Sequence, residues 1–259
     1  MGERPAFSVP TPAGGWLDPW PNVAEIETVL PHDRWTLVGG LMTQLHAVHH
    51  DIDAVRPTDD VDIVLHVETR RGVPDSAADA LESIGYTMVD PVDPRANVAH
   101  RFRRGRQAVD LVEAGRHVVD VVIADHAAPR VVGTMRGRDM VAIEGGTQAL
   151  RRTVDATLRI TAGAPTTVST PSTFGALVLK AAAYRSDSRD PDRHLLDAAV
   201  LLACLDDPYE AREQYAGSDR SRMLTLARRL PDDAQQWRAL SARQAAEGRA
   251  ALRVLTQPG

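Results

Sequence analysis

The 259-residue chain is 43% hydrophobic and 25% charged, values close to those of ordinary globular proteins, which excludes a disordered, collagenous or membrane-embedded polypeptide. Its formal net charge of −5 gives no global pull toward nucleic acid, so a polyanion has to be met by a local basic patch; the candidates are residues 101–106 and Arg151 with Arg152. The longest apolar stretches, such as residues 198–205, fall far short of the ~20 residues of a membrane helix. The N-terminus lacks a charged-then-apolar signal segment, so a cytoplasmic location and no membrane partner are expected. The single cysteine, Cys204, lies in an apolar helical run and reads as core filler rather than nucleophile.

Taken in chain order, residues 1–22 carry Pro5, Pro10, Pro12, Gly14, Gly15, Pro19 and Pro21, a density that predicts an irregular arm with Trp16 and Trp20 docked on the body. Residues 35–38 read as a short strand ending at Gly39-Gly40, after which Leu41, Leu45 and Val48 recur at helical spacing. Residues 61–67 alternate as a β-rich strand, and residues 75–84 have the caps and alanines of a helix. Further strands are expected at 99–104, 108–112 and 118–124, the last two joined as a hairpin through residues 113–116. After Gly163, Ala164 and Pro165 helical patterning takes over: Ser172 or Thr173 caps a helix through Lys180 and Tyr184, and helices follow at 192–205, 209–215, 218–230 and 233–255. The expected class is α/β (α+β), with an arm at 1–22, a mixed sheet and flanking helices in a domain at 23–168, and a helical bundle at 169–259.

The chemistry centres on Gly39-Gly40 and on residues 56–63. Side chains two apart on a strand share a face, so Asp60 and Asp62 project together from Cα atoms roughly 6.6 Å apart. Two unpaired carboxylates repel, whereas Mg²⁺ takes oxygen ligands and bridges carboxylates to substrate phosphates. A Gly turn entering a helix lets backbone N–H groups approach phosphate closely. A solvated strand end presents the same Asp-x-Asp pattern, so the pair needs support. Asp120 interrupts an apolar strand, where an unpaired acid costs several kcal/mol; Asp110 is its rival, and Asp120 is favoured because its apolar run is longer. Of the 30 basic residues 29 are Arg, and Lys180 is the sole Lys, which fits either GC bias or a site wanting a compact ammonium. His46, His49 and His50 lack a partner cluster and read as helix-surface polarity rather than metal ligands.

The Gly-Gly turn, the Thr58-Asp-Asp-Val-Asp62 strand and the later acid resemble the nucleotidyltransferase superfamily. The segment from Phe174 through Lys180 to Arg185, followed by Arg189-Asp-Pro-Asp-Arg-His-Leu-Leu-Asp197, resembles the Lys-helix and Asp-helix of AbiEii/MenT-like toxin nucleotidyltransferases, the resemblance covering roughly residues 35–205. It implies a nucleotidyltransferase-type sheet, with Asp60, Asp62 and Asp120 as ligands of Mg²⁺ (or Mn²⁺), Gly39, Gly40 and Lys180 binding a nucleoside triphosphate, and Asp197 facing Lys180 as an acid. It further implies an RNA acceptor, such as the 3′ end of a tRNA, and an antitoxin protein as partner. This chain departs from the pattern in its longer interval from Gly40 to Asp60 and in its two candidates for the third acid. Asp120 would bind a second metal or serve as base. If open to solvent, the Lys180–Asp197 pair adds only ~0–1 kcal/mol. Two other readings stand beside this one: nucleotidylation of a small molecule of the aminoglycoside type, and a degenerate nucleotide-binding module without catalysis. An RNA enzyme should carry a basic groove beside the carboxylates, with Arg185, Arg189 and Arg193 within reach, and a small-molecule enzyme an acidic or enclosed pocket.

Overall fold

The computed structural model describes residues 4–54, 56–67, 72–91, 97–105, 117–125 and 134–258. In chain order they form β1 (Ala6–Ser8), α1 (Trp20–Val29), β2 (Trp35–Val38), α2 (Gly39–His49), β3 (Asp60–Leu65), α3 (Val73–Ser83), β4 (Thr87–Met88), β5 (Val98–Ala99), β6 (Arg101–Arg104), β7 (His117–Ala124), β8 (Asp139–Met140), β9 (Ala142–Ile143), α4 (Gly146–Leu150), β10 (Thr153–Leu158) and β11 (Thr166–Pro171). The helices α5 (Thr173–Ser186), α6 (Asp192–Ala203), α7 (Pro208–Glu213), α8 (Asp219–Arg229) and α9 (Ala242–Thr256) complete an α+β protein. Among the described residues, no helix is long and apolar enough to cross a membrane.

The central sheet runs β2-β3-β7-β6-β4, with β9 added beside β7. Its β3–β7 pair is parallel, while β2 and β6 run antiparallel to their neighbours, so the sheet is mixed. Strand alternation gives this sheet two different faces. Val61, Ile63 and Leu65 of β3 and Val119, Val121 and Ile123 of β7 join a core with Val23 and Ile26 of α1 and Leu81 of α3. Val64 and Val122, on the opposite face, join the core of the helical half with Leu177 and Val178 of α5 and Leu201 of α6. Asp60, Asp62 and Asp120 share the register of this second face. The helix α5 is buried nearly all round, which explains its lack of a polar stripe: it lies between the sheet and α4, α6 and α8.

Several expectations change here. The arm is not irregular throughout, since Ala6–Ser8 pairs in parallel with β10, and β10 with β11. Helix α1 begins at Trp20, inside the stretch expected to be the arm, while Trp16 and Trp20 are indeed buried. β11 runs through Pro171, past the expected boundary at 168, and Ser172 caps α5 by accepting from the Gly175 N–H. The helix expected at 233–255 is split: Gln235–Ala239 forms a 3₁₀ turn with Trp237 buried, and a Ser241/Gln244 capping box restarts the chain as α9. The hairpin of residues 108–116, and with it Asp110, lies outside the described residues.

Candidate functional site

Strand register brings the carboxylates together. Asp62 of β3 stands directly opposite Asp120 of the parallel β7, and Asp60 precedes it by two on the same face. They line a cavity of about 330 Å³ with Gly39, Gly40, Arg101 and Lys180. Neither the Asp60 nor the Asp62 carboxylate has a hydrogen-bond or ion-pair partner among the described residues. Burial, then repulsion from Asp120, raises the pKa of Asp62 to about 6, and the same two causes raise that of Asp60. Carboxylates left crowded and unpartnered are suited to a cation.

Asp120 differs from its neighbours. It accepts a bidentate pair from Arg101, Nε to Oδ1 at 2.7 Å and Nη2 to Oδ2 at 2.6 Å. Among the described residues no three His, Cys, Asp or Glu side chains are grouped so as to hold a metal ion. Asp60 and Asp62 fit a divalent ion that completes its shell with phosphate oxygens, the usual habit of Mg²⁺.

The glycines are required by contact. At Gly39, whose φ is +70°, an added Cβ would lie 1.8 Å from Asp62 Oδ2; at Gly40 it would lie 2.8 Å from Thr58 Cβ. No side chain fits between the start of α2 and the strand that carries the acids. Lys180 ties this turn to the helical half, its Nζ donating to Gly39 O at 2.8 Å and to Asp197 Oδ2 at 2.6 Å. Lys180 is 3% exposed and Asp197 2%, so the pair is buried between α5 and α6, and the solvent-exposed case does not apply. Arg56 Nη2 stands 3.7 Å from the same Asp197 oxygen.

A second cavity of about 490 Å³ shares Gly39, Asp62, Asp120 and Lys180 with the first, and is walled by Val38, Met42, Val122, Ile143 and Leu179. Its apolar walls lie beside the polar cavity that holds the carboxylates. Arg193 and His194 line both cavities. Asp187 holds both, accepting from Arg193 Nη2 at 2.8 Å and pairing with His194 Nε2 at 3.0 Å. Hydrogen bonds from backbone N–H groups, that of Arg189 first, keep the Asp187 carboxyl far below the usual range. Sequence reasoning gave no role to Arg56, Asp187 or His194, and cited Arg101 only as part of a basic patch; the partners of Arg56 and Arg101 are set by tertiary contacts, whereas Asp187 meets Arg189, Arg193 and His194 within one turn between α5 and α6, a local cluster that sequence reasoning passed over.

That patch is only partly a free basic surface, since Arg103 is exposed while its neighbours are paired. Arg101 is committed to Asp120, Arg104 Nη1 donates to Glu25 Oε1 at 2.7 Å, and Arg106 lies outside the described residues. Of the second patch, Arg151 is exposed, while the half-buried Arg152 pairs with Asp219, 2.7 Å away, with its guanidinium over Phe174. His46, expected on a helix surface, is 2% exposed and bonded through Nε2 to Pro171 O at 2.9 Å, and burial holds its pKa at about 4. Cys204 is buried, and burial pushes its thiol to about 12. Protein-family models, curated proteins and solved structures give no match to this chain.

Proposed function

We propose that the protein is a metal-dependent nucleotidyltransferase, moving a nucleotidyl group from a nucleoside triphosphate to an acceptor hydroxyl. The observation that carries this reading is the meeting, in one cavity, of two unpartnered carboxylates on adjacent same-face positions with a Gly-Gly helix start and a buried lysine. Asp60 and Asp62 would hold a divalent ion, Mg²⁺ or Mn²⁺, which when bound supplies polarisation of the α-phosphoryl group and neutralises charge on the leaving pyrophosphate. The N-terminus of α2, at Gly39 and Gly40, turns first-turn N–H groups and the positive end of its dipole toward phosphate. Lys180, fixed by Asp197 and Gly39 O, adds a localised positive charge as the phosphate charge shifts. The acceptor oxygen bonds to the α-phosphorus as the bond from that phosphorus to the bridging oxygen breaks. The electron pair leaves with pyrophosphate, and the hydroxyl proton passes to water.

A third cavity of about 830 Å³ bears on the acceptor. It is lined by Tyr184, Arg185, Arg228 and Arg229, and by the Asp187 that holds Arg193 and His194 at the other two cavities. Guanidinium groups beside an aromatic face suit a phosphodiester strand and repel a polycationic aminoglycoside. An RNA acceptor, such as the 3′ end of a tRNA, is therefore the acceptor in this reading. The test is pyrophosphate release from each of the four ribonucleoside triphosphates with Mg²⁺ and total RNA, wild type beside Asp62→Asn. Release with at least one triphosphate in the wild type and none in the variant is expected; equal release from both would remove the reading.

A further inference from the structure

Phosphoryl-transfer centres commonly place two cations about the reacting phosphate, one by the attacking oxygen and one by the leaving oxygen. A third carboxylate beside Asp60 and Asp62 would ordinarily serve the second of these. In this protein that carboxylate is already neutralised, and the group that does so is built into the sheet. Arg101 of β6 stands directly opposite Asp120 of β7 in the antiparallel register. The ladder on either side fixes it, since Val121 N–H donates to His100 O and Val89 N–H to Arg101 O. The guanidinium gives Nε and Nη2 to the two Asp120 oxygens, a fork-to-fork arrangement that a carboxylate makes with Arg and not with a point charge. It also forms part of the wall of the cavity that holds Asp60 and Asp62. Its side chain is 37% exposed and that of Asp120 15%, so both line the cavity, the guanidinium with the larger accessible share.

Resting on the nucleotidyl-transfer reading, we propose that Arg101 takes the place of the second metal ion. The protein then holds one divalent cation, on Asp60 and Asp62, and a permanent guanidinium supplies the other positive charge, as arginine does at other phosphoryl-transfer sites. Asp120 is the positioning residue of that guanidinium rather than a metal ligand. The chemistry is suited to it: a guanidinium keeps its charge at every working pH and is weakly hydrated, so contact with phosphate costs it less dehydration than it would a small divalent ion.

The experiment counts metal. Purified full-length protein is dialysed to equilibrium against Mn²⁺ and the four α,β-methylene ribonucleoside triphosphates together, and the excess Mn²⁺ per chain is measured. One Mn²⁺ is expected in the wild type. Asp120→Asn should keep that count, because the acid is not a ligand, and melting curves of each variant establish that it is folded. Arg101→Gln frees Asp120 and should raise the count to two, returning to one in the Arg101→Gln/Asp120→Asn double variant. Two Mn²⁺ in the wild type, or loss of Mn²⁺ in folded Asp120→Asn, overturns the proposal and leaves the nucleotidyl-transfer reading standing. No bound Mn²⁺ in the wild type would remove that reading and the proposal with it.

Discussion

Asp62 carries a cost in the metal-free protein. Burial and the neighbouring Asp120 raise its pKa to about 6, against about 3.9 in an unfolded chain. The folded protein therefore holds this proton more tightly than the unfolded one, so between about pH 4 and 6 the contribution of Asp62 to stability falls as pH rises. Above pH 6 the full penalty of the ionised acid remains. Asp62→Asn should abolish transfer yet raise stability at pH 7 by about 1–2 kcal/mol, allowing for partial solvent screening. Melting curves from pH 4 to 8 check the sign: the advantage of the variant should shrink as pH falls through 6. Lys180 behaves in the opposite sense. With Lys180 removed, Asp197 is left buried with Arg56 at 3.7 Å as its ion-pair partner among the described residues, and Lys180→Ala should cost about 3–5 kcal/mol. Lys180→Arg keeps the charge but has to fit a flat guanidinium between Gly39 O and Asp197, so most transfer activity should be lost; wild-type rates in that variant would leave compositional bias as the reason for this lysine.

At the scale of elements, the Gly39-Gly40 turn is the joint on which the site depends. Gly39→Ala drives a methyl group into Asp62 at a positive φ, and should cost about 1–3 kcal/mol with loss of transfer. A rise in melting temperature with unchanged rate would show that the turn does not set the position of Asp62. This part of the site was readable from sequence because it is local: period two puts Asp60 and Asp62 on one face, and β2 meets α2 within consecutive residues. The same holds for Asp120, whose apolar neighbours mark a central strand. The partnership of Arg101 with Asp120 is different in kind, since it exists only once β6 has found its register on β7. The three-residue β1 gives no signal without β10 beside it, and β10 interleaves Asp155 among its β-branched residues. The break before α9 rests on the burial of Trp237 and on the Ser241/Gln244 capping box, a signature that a continuous helical periodicity conceals.

For the whole molecule, the two halves are joined through a shared interior. Val38, Val64 and Val122 of the sheet belong to the same core as α5, α6 and α9, and the expected division at 168/169 falls within β11. Calorimetry should therefore give a single cooperative unfolding transition, and two separated transitions would mean that the halves fold independently. This joint also explains why the site needs both halves: the carboxylates come from the sheet, and Lys180, Arg193 and His194 from the helices. The most direct test of nucleotidyl transfer at this joint is to follow two labels in parallel, one on the α-phosphate and one on the γ-phosphate of each triphosphate, with Mg²⁺ and total RNA. The account predicts α-label in the RNA and γ-label in pyrophosphate, both lost in Asp62→Asn. Label from the γ-phosphate in the acceptor, or no incorporation from any triphosphate, would contradict it.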